Sequence, residues 1–312
     1  MSETYRHTSV LLEETLDLLR VVPGGTYCDA TLGGSGHARA ILERSAPDGR
    51  LVGIDRDPAA LAHGRQALAS FGERVVLEQG NFADVVQILR HLGLSPVDGL
   101  LVDLGVSSHQ LDTADRGFSF SAEGPLDMRM DPTQGPSAAE LIATLSEAEL
   151  ARVIRNFGEE PASRRIARAI KRAQLGQALG STRELARVVA GAVGGEKRGR
   201  IHPATRTFMA LRMAVNDELG CLERFLETFT EAVRPGGRVA VIAFHSLEDR
   251  AVKRRFGALA STCVCPPGLP ICACGRVPEV TLVARKAVQA SESEVNENPR
   301  ARSARLRVVE RR

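Results

Sequence analysis

The 312-residue chain predicts an α/β fold, a parallel sheet interrupted by an inserted all-helical domain. Three observations carry that prediction. Short apolar runs alternate with helical patterns over the first hundred residues, strand signals vanish between about residues 108 and 214, and strand patterning resumes after Pro235-Gly236-Gly237. The domain bounds that follow are 1–107 and 215–312 for the two parts of the sheet domain and 108–214 for the helical insertion.

Taken in order, residues 1–20 hold an amphipathic helix pattern with Val10, Leu11, Leu12, Leu16, Leu18 and Leu19 on its apolar side. Gly25 to Thr31 reads as a strand that runs into the glycine loop Gly33-Gly34-Ser35-Gly36-His37. A second strand, Leu51 to Ile54, ends on Asp55. Pro58 to Ser70 is expected to be helical, Arg74 to Glu78 a strand, and Val85 to Leu92 the next helix, opened by Asn81-Phe82-Ala83-Asp84. Val97 to Asp103 has the uninterrupted apolar core of a central strand buried on both faces. In the insertion, Ser146 and Glu149 have capping-box spacing. Three late strands, Arg238 to Phe244, Val280 to Ala284 and Leu306 to Val309, are expected to complete the first sheet, and the polar stretch Gln289 to Asn298 reads as a loop.

At 43% hydrophobic and 25% charged the chain can bury a large core, and no stretch approaches membrane-spanning length. The first twenty residues lack the basic start and continuous apolar run of a signal peptide, so the expected location is the cytoplasm, with the six cysteines in a reducing compartment. Charge is segregated: residues 151–212 hold fourteen Lys/Arg against four Glu, and residues 300–312 six Arg against one Glu. A net charge of only +3 therefore leaves the remaining chain acidic, which favours a polyanionic partner on one face, although an Arg-rich helix is also compatible with a merely solvated surface. With no Trp and two Tyr, recognition through many aromatic stacks is disfavoured.

Glycines let a backbone approach a ligand, a following helix offers N–H groups, and a carboxylate ending the second strand accepts ribose hydroxyls. The third glycine of a dinucleotide loop is missing in register, since Gly33-Gly34-Ser35-Gly36-His37-Ala38 has none after Gly36. Gly34, Ser35, Gly36, His37, Asp55, Phe82 and Asp103 are all expected at the carboxyl edge of the sheet, with ribose on Asp55, adenine against Phe82 and an ammonium on Asp103. Those are the needs of S-adenosylmethionine.

Several strings then become recognisable. Tyr5-Arg6-His7-Thr8-Ser9-Val10-Leu11-Leu12, Asp55-Arg56-Asp57-Pro58, the segment Asp103 to Asp112, Arg116-Gly117-Phe118-Ser119-Phe120, Gly124 to Asp131, His202 to Phe208, Phe244 to Arg250 and Asn298 to Ser303 resemble the RsmH (MraW) family in the same order over nearly the whole chain. The resemblance implies a Rossmann-like S-adenosylmethionine-dependent methyltransferase sheet with an inserted helical domain. It implies N4-methylation of one cytidine in small-subunit (16S) ribosomal RNA near the decoding centre, with the RNA or the assembled small subunit as partner. It also implies cofactor contacts from Ser35, Gly36, His37, Asp55, Phe82, Asp103 and Gln110. Ser35 stands where the family loop often has glycine, so the backbone there must tolerate a Cβ.

Methyl transfer from a sulfonium to an amine gains mainly from alignment of nitrogen, methyl and sulfur, and an acceptor at the amine hydrogens helps. The Asp-Pro-Pro-aromatic loop of many amino-methyltransferases is replaced here by Asp103-Leu104-Gly105-Val106. Besides Asp103, the candidates around the cytidine are Ser107 and Ser108, alternatively helix caps; Phe118 and Phe120, as stacking faces or core packing; and His245, as base or as a supporting hydrogen-bonding group. Arg206 and Arg212 are candidates for the RNA backbone. Cys263, Cys265, Cys272 and Cys274 either close a tetrahedral zinc site or are plain thiols in a proline-stiffened loop, since paired zinc ligands more often have two residues between them. Two other readings of the chain stay open, a nicotinamide-dependent oxidoreductase and a non-enzymatic ribosome-assembly factor with a vestigial cofactor site.

Overall fold

The computed structural model describes residues 9–195, 201–265 and 274–312, which form two compact units, Met1–Gly105 with Gly220–Arg312, and Val106–Leu219. The first unit opens with α1 (Leu12–Leu19), β1 (Thr26–Asp29), α2 (Gly36–Arg44), β2 (Arg50–Asp55), α3 (Pro58–Ala67), β3 (Val75–Gln79), α4 (Val85–His91) and β4 (Val97–Asp103). The second unit holds α5 (Ser108–Asp112), α6 (Ala138–Thr144), α7 (Glu147–Gly158), α8 (Ser163–Leu175), α9 (Thr182–Ala192) and α10 (Thr205–Val215). After α11 (Glu218–Thr228) come β5 (Val233–Ala243), α12 (Ser246–Ala260), β6 (Val280–Leu282), α13 (Glu292–Glu297) and β7 (Arg305–Arg311).

The strands make one seven-stranded sheet in the order β3-β2-β1-β4-β5-β7-β6. Five are parallel, with Cys28 level with Val52 on one side and Leu100 on the other, and β7 returns antiparallel to both β5 and β6. Apolar runs at Leu51-Val52-Gly53-Ile54 and Leu100-Leu101-Val102 are buried on both faces, as a sheet covered by helices on each side requires. The order reverses between β1 and β4, the switch point at which ligands bind beyond the carboxyl ends of the strands.

The late strands join this sheet as the sequence predicts, with two local differences. β5 starts at Val233 rather than Arg238, because Val97 pairs with Val233 and a register shift then absorbs Pro235 and Gly236, the latter at φ +77°. The polar stretch read as a loop contains α13. Ser291 caps it by accepting from the Glu294 N–H at 3.2 Å, and Glu294 Oε1 in turn accepts the Leu11 N–H at 2.7 Å.

The helical unit holds no strand among its described residues. Its core gathers Leu150, Ile154, Ile166, Ile170, Leu185, Val189, Phe208 and Leu211 from the four longest helices. Serine–glutamate capping boxes start α6, α7 and α9. Helices α7 and α10 approach so closely that a Cβ on Gly158 would lie 2.6 Å from the Arg206 carbonyl oxygen, which is why glycine closes α7. Asn216, just past α10, is buried and ties the unit's irregular segment down: its Oδ1 accepts the Met130 N–H at 2.8 Å and its Nδ2 donates to the Met128 carbonyl at 2.7 Å. Among the described residues, no helix is long and apolar enough to cross a membrane.

Candidate functional site

At the carboxyl edge of the sheet the strand ends deliver acids. Asp55 closes β2 and is fixed by two backbone donors, Gly33 N–H to Oδ2 and Asp57 N–H to Oδ1, both at 2.8 Å. Burial lifts its carboxyl to about 6 in spite of those hydrogen bonds, which pull it down. Two of its lone-pair directions are thus used to shape the glycine loop, and the rest can accept ribose hydroxyls. Asp29 closes β1, is 1% exposed, and accepts the Thr31 N–H at 3.2 Å. Burial first, with Asp55 adding, pushes it up to about 7. Asp103 closes β4; burial above all, then Asp29 and Glu248, hold its carboxyl well above the usual carboxylate range. Its N–H is bound by Thr31 Oγ1 at 2.6 Å, while its Oδ1 is buried without a hydrogen-bond partner.

The glycine loop arrives beside these acids. Gly33 has φ +45° and Ser35 φ +63°, the left-handed region where a Cβ is unfavourable, so the chain tolerates serine at that place with strain, and the Ser35 hydroxyl is buried without a partner. Gly36 starts α2 and His37 follows in its first turn. The His37 Nε2 donates to the Val10 carbonyl at 3.1 Å, which turns Nδ1 toward Asp103 Oδ2, 3.8 Å away. Gly34 lies half-buried between these residues in the loop. Phe82 opens a short turn after β3, half-buried and set edge-to-face with Phe225 at 5.9 Å.

Of the predicted cofactor residues, Gly34, Ser35, Gly36, His37, Asp55, Phe82 and Asp103 sit in the sheet unit at or just beyond the carboxyl ends of β1 to β4, and Gln110 lies in the helical unit. The cluster of carboxyls with an unpartnered buried Oδ1 suits a ligand that brings positive charge, and S-adenosylmethionine carries a sulfonium and an ammonium. Two members were not singled out in the sequence. Asp29 was legible as the acid ending the first strand. Glu248, 3% exposed, is signalled by its place three residues after His245, since its Oε2 accepts from the N–H groups of Phe244 and His245 at 3.0 and 3.1 Å.

His245 caps α12, its Nδ1 accepting the Leu247 N–H at 3.3 Å. In the neutral ring that contact leaves the proton on Nε2. In the helical unit, Ser107 caps α5 through a reciprocal pair with Gln110: Ser107 Oγ accepts the Gln110 N–H at 3.2 Å and Gln110 Oε1 accepts the Ser107 N–H at 3.1 Å. Ser108 and Gln110 are both buried. Phe118 is 6% exposed in the unit's core with the Arg116 guanidinium 5.8 Å from its ring, and Phe120 packs on His202 and Phe208 at 4.6 and 4.9 Å. Arg212 is bound by Glu218 through two contacts of 2.8 and 2.9 Å and is largely buried, so its charge is spent inside the unit. Arg206 is the exposed one of the two, 3.7 Å from Glu160. Arg155, Arg164 and Arg165 line a cavity of about 500 Å³ where α7 gives way to α8. Of the four cysteines, Cys263, Cys265 and Cys274 come together, and Cys272 lies outside the described residues.

Residues 4–312 match the MraW methylase family. The chain is 56% identical over 310 residues to a ribosomal RNA small subunit methyltransferase H of Syntrophotalea carbinolica, covering 99% of each protein. It is 54% identical over 310 residues to the protein of that name from a Geobacter species, again with 99% of each covered. A third, from Symbiobacterium thermophilum, is 52% identical over 306 residues, 98% of this chain and 96% of that one.

Proposed function

The chain belongs to the MraW methylase family, whose cofactor is S-adenosylmethionine, and from that premise we propose that it methylates N4 of a specific cytidine in small-subunit ribosomal RNA near the decoding centre. The observation that carries the reading is the acidic edge around Asp103, whose unpartnered buried Oδ1 fits a cationic methyl donor. The substrate is supported by the name its relatives bear and by the basic segment 151–212. The substrate is the naked RNA or the assembled small subunit, and the place of action is the cytoplasm.

When bound, S-adenosylmethionine supplies a methyl group on a sulfonium for in-line displacement by the cytosine amine. The chain's own residues hold and align. Asp55 accepts ribose hydroxyls with the lone pairs left by Gly33 and Asp57, and Phe82 offers a face to the adenine. Asp103 binds the ammonium, and the N–H groups at the start of α2, after Gly34 and Ser35, remain as donors to polar groups of the ligand. Ser107 and Ser108 are assigned to the cytidine; the Ser107 oxygen already accepts from Gln110, which leaves its O–H to donate. His245, with its proton on Nε2, serves as a polar guide. Arg206 and the arginines around the α7–α8 cavity meet phosphates, which position the RNA without reading its sequence.

The test is to incubate the protein with isotopically labelled S-adenosylmethionine and unmodified small ribosomal subunits, digest the RNA and identify the labelled nucleoside by mass spectrometry. Labelled N4-methylcytidine is expected. Label on another nucleoside or in protein overturns the substrate assignment, and no label with intact S-adenosylhomocysteine binding returns the assembly-factor reading.

A further inference from the structure

Among its described residues, the connection between α12 and β6 collects soft ligands. The sulfur atoms of Cys263, Cys265 and Cys274 lie within 4.8 Å of one another. Thiolates on a tetrahedral zinc with bonds of ~2.3 Å stand ~3.8 Å apart, so about an ångström of side-chain adjustment closes three sulfurs on one ion. The backbone already holds one sulfur in place: the Cys265 N–H donates to Cys263 Sγ at 3.3 Å. Cys263 is itself held by Ser261, whose Oγ accepts the Cys263 N–H at 3.3 Å and donates to the Cys263 carbonyl at 2.6 Å. The returning chain is fastened beside it. Arg276 donates to the Ala258 carbonyl at 2.6 Å, and the Glu279 N–H to the Leu259 carbonyl at 3.0 Å.

We propose that Cys263, Cys265 and Cys274 bind a zinc ion that staples the α12–β6 connection. The donor set decides the metal: among the described residues the cluster holds sulfur and no carboxylate, which suits Zn²⁺ over the oxygen-seeking Mg²⁺ and Ca²⁺. Each thiol gives up one proton on binding, so uptake releases acid and weakens at low pH. The position in the chain says what the ion does. Burial alone has little to work with here, since Cys263 and Val264 are exposed and Cys265 and Cys274 only half-buried, and a metal clip supplies the order that a core does not.

The experiment uses the full chain without a metal-binding tag, purified under reducing conditions, with zinc measured by elemental analysis after dialysis. About one zinc per chain is expected, in keeping with a single thiolate site. Stripped, reduced protein titrated with Co²⁺ alone is expected to develop the thiolate-to-cobalt charge-transfer absorption, and Zn²⁺ to bleach it. C263S/C265S/C274S is expected to lose both signals while keeping its far-ultraviolet circular dichroism. Should the triple variant not fold, C274S with one ligand removed provides the same comparison as a weaker cobalt signal. The proposal falls if zinc is at trace level and stripped protein gives no cobalt–thiolate band. Zinc retained in the triple variant, or a disulfide between two of these cysteines in cells lysed with a thiol-blocking reagent, overturns it equally.

Discussion

Asp103→Asn changes one charge and almost no volume, and it should move binding and stability in opposite directions. In the ligand-free protein the Asp103 carboxylate is opposed by burial and by Asp29 and Glu248, so removing its charge relieves the fold. In the complex the same charge faces the ligand ammonium. A charge-assisted hydrogen bond contributes about 1.5–3 kcal/mol, and a factor of ten costs about 1.4 kcal/mol, so the variant should bind S-adenosylhomocysteine roughly 10- to 150-fold more weakly. Proton linkage gives a second signature. Because the folded carboxyl is raised, acid protonates it and cancels the attraction; wild-type affinity should rise as pH rises and Asp103 ionises, and the variant should lose that part of the pH dependence while keeping the part that Asp29 and Asp55 contribute. Calorimetric titration at several pH values measures the affinity, and thermal unfolding of the ligand-free protein measures the stability. An affinity within twofold of wild type across the range would refute the reasoning, and so would a joint fall of stability and affinity, which is what a purely structural Asp103 would give.

Other outcomes follow from the same geometry. Asp29→Asn should raise the stability of the ligand-free protein at pH 8 and leave it nearly unchanged at pH 4. The folded carboxyl titrates at about 7, above its unfolded value of 3.8, so the native state holds the extra proton and loses that advantage as pH rises through this window. At about 1.4 kcal/mol for each pH unit between the two values the gain is capped at about 4 kcal/mol, and urea unfolding at both pH values checks it. Ser35→Gly removes a left-handed φ of +63° and a buried hydroxyl without a partner; after the greater unfolded-state freedom of glycine is deducted, about 1 kcal/mol of stabilisation is expected by denaturant titration. Asn216→Ala strands the Met130 N–H and the Met128 carbonyl and should cost about 2–4 kcal/mol in the same measurement. If instead the variant unfolds like wild type, that pair of hydrogen bonds does not organise the segment.

The parts of this protein that were legible in the sequence are those set by local pattern. Apolar runs without interruption announced β2 and β4, and an acid at each strand end announced Asp55 and Asp103, because a parallel sheet exposes only its strand termini to a ligand. Serine–glutamate spacing announced the start of α7, and the same spacing at Ser137 and Ser181 announces α6 and α9. What pattern does not contain is commitment. Ser107 and Gln110 read as site residues, and the structure adds a second task by joining them to each other in a helix cap, which leaves the Ser107 O–H to donate; Arg212 reads as a surface cation and is clamped by Glu218. These outcomes depend on partners that folding brings within 3 Å or so, not on the residue's own type. The α13 helix was missed because its six residues carry almost no apolar period, and a single capping serine with the Glu294–Leu11 contact suffices to set it.

The charge at the sheet edge also decides between the cofactors that the glycine loop left open. A dinucleotide brings a pyrophosphate to this edge, where Asp55 and Asp103 end their strands and the buried Asp29 and Glu248 add negative field, with Asp29 and Asp55 lifted to about 7 and about 6. Like charges a few ångströms apart cost on the order of kilocalories even at an effective dielectric constant of about 20. A ligand carrying a sulfonium and an ammonium reverses the sign of that energy. The strain of gathering these carboxyls in the ligand-free protein is therefore the counterpart of selectivity: they destabilise the fold when no cation is present, and each step by which a cation restores their ordinary acidity appears as binding energy. The missing third glycine points the same way: in a dinucleotide loop that glycine lets helix and strand pack closely, and here no glycine follows Gly36 in the first turn of α2, where Ala38 is fully buried in the sheet domain's core.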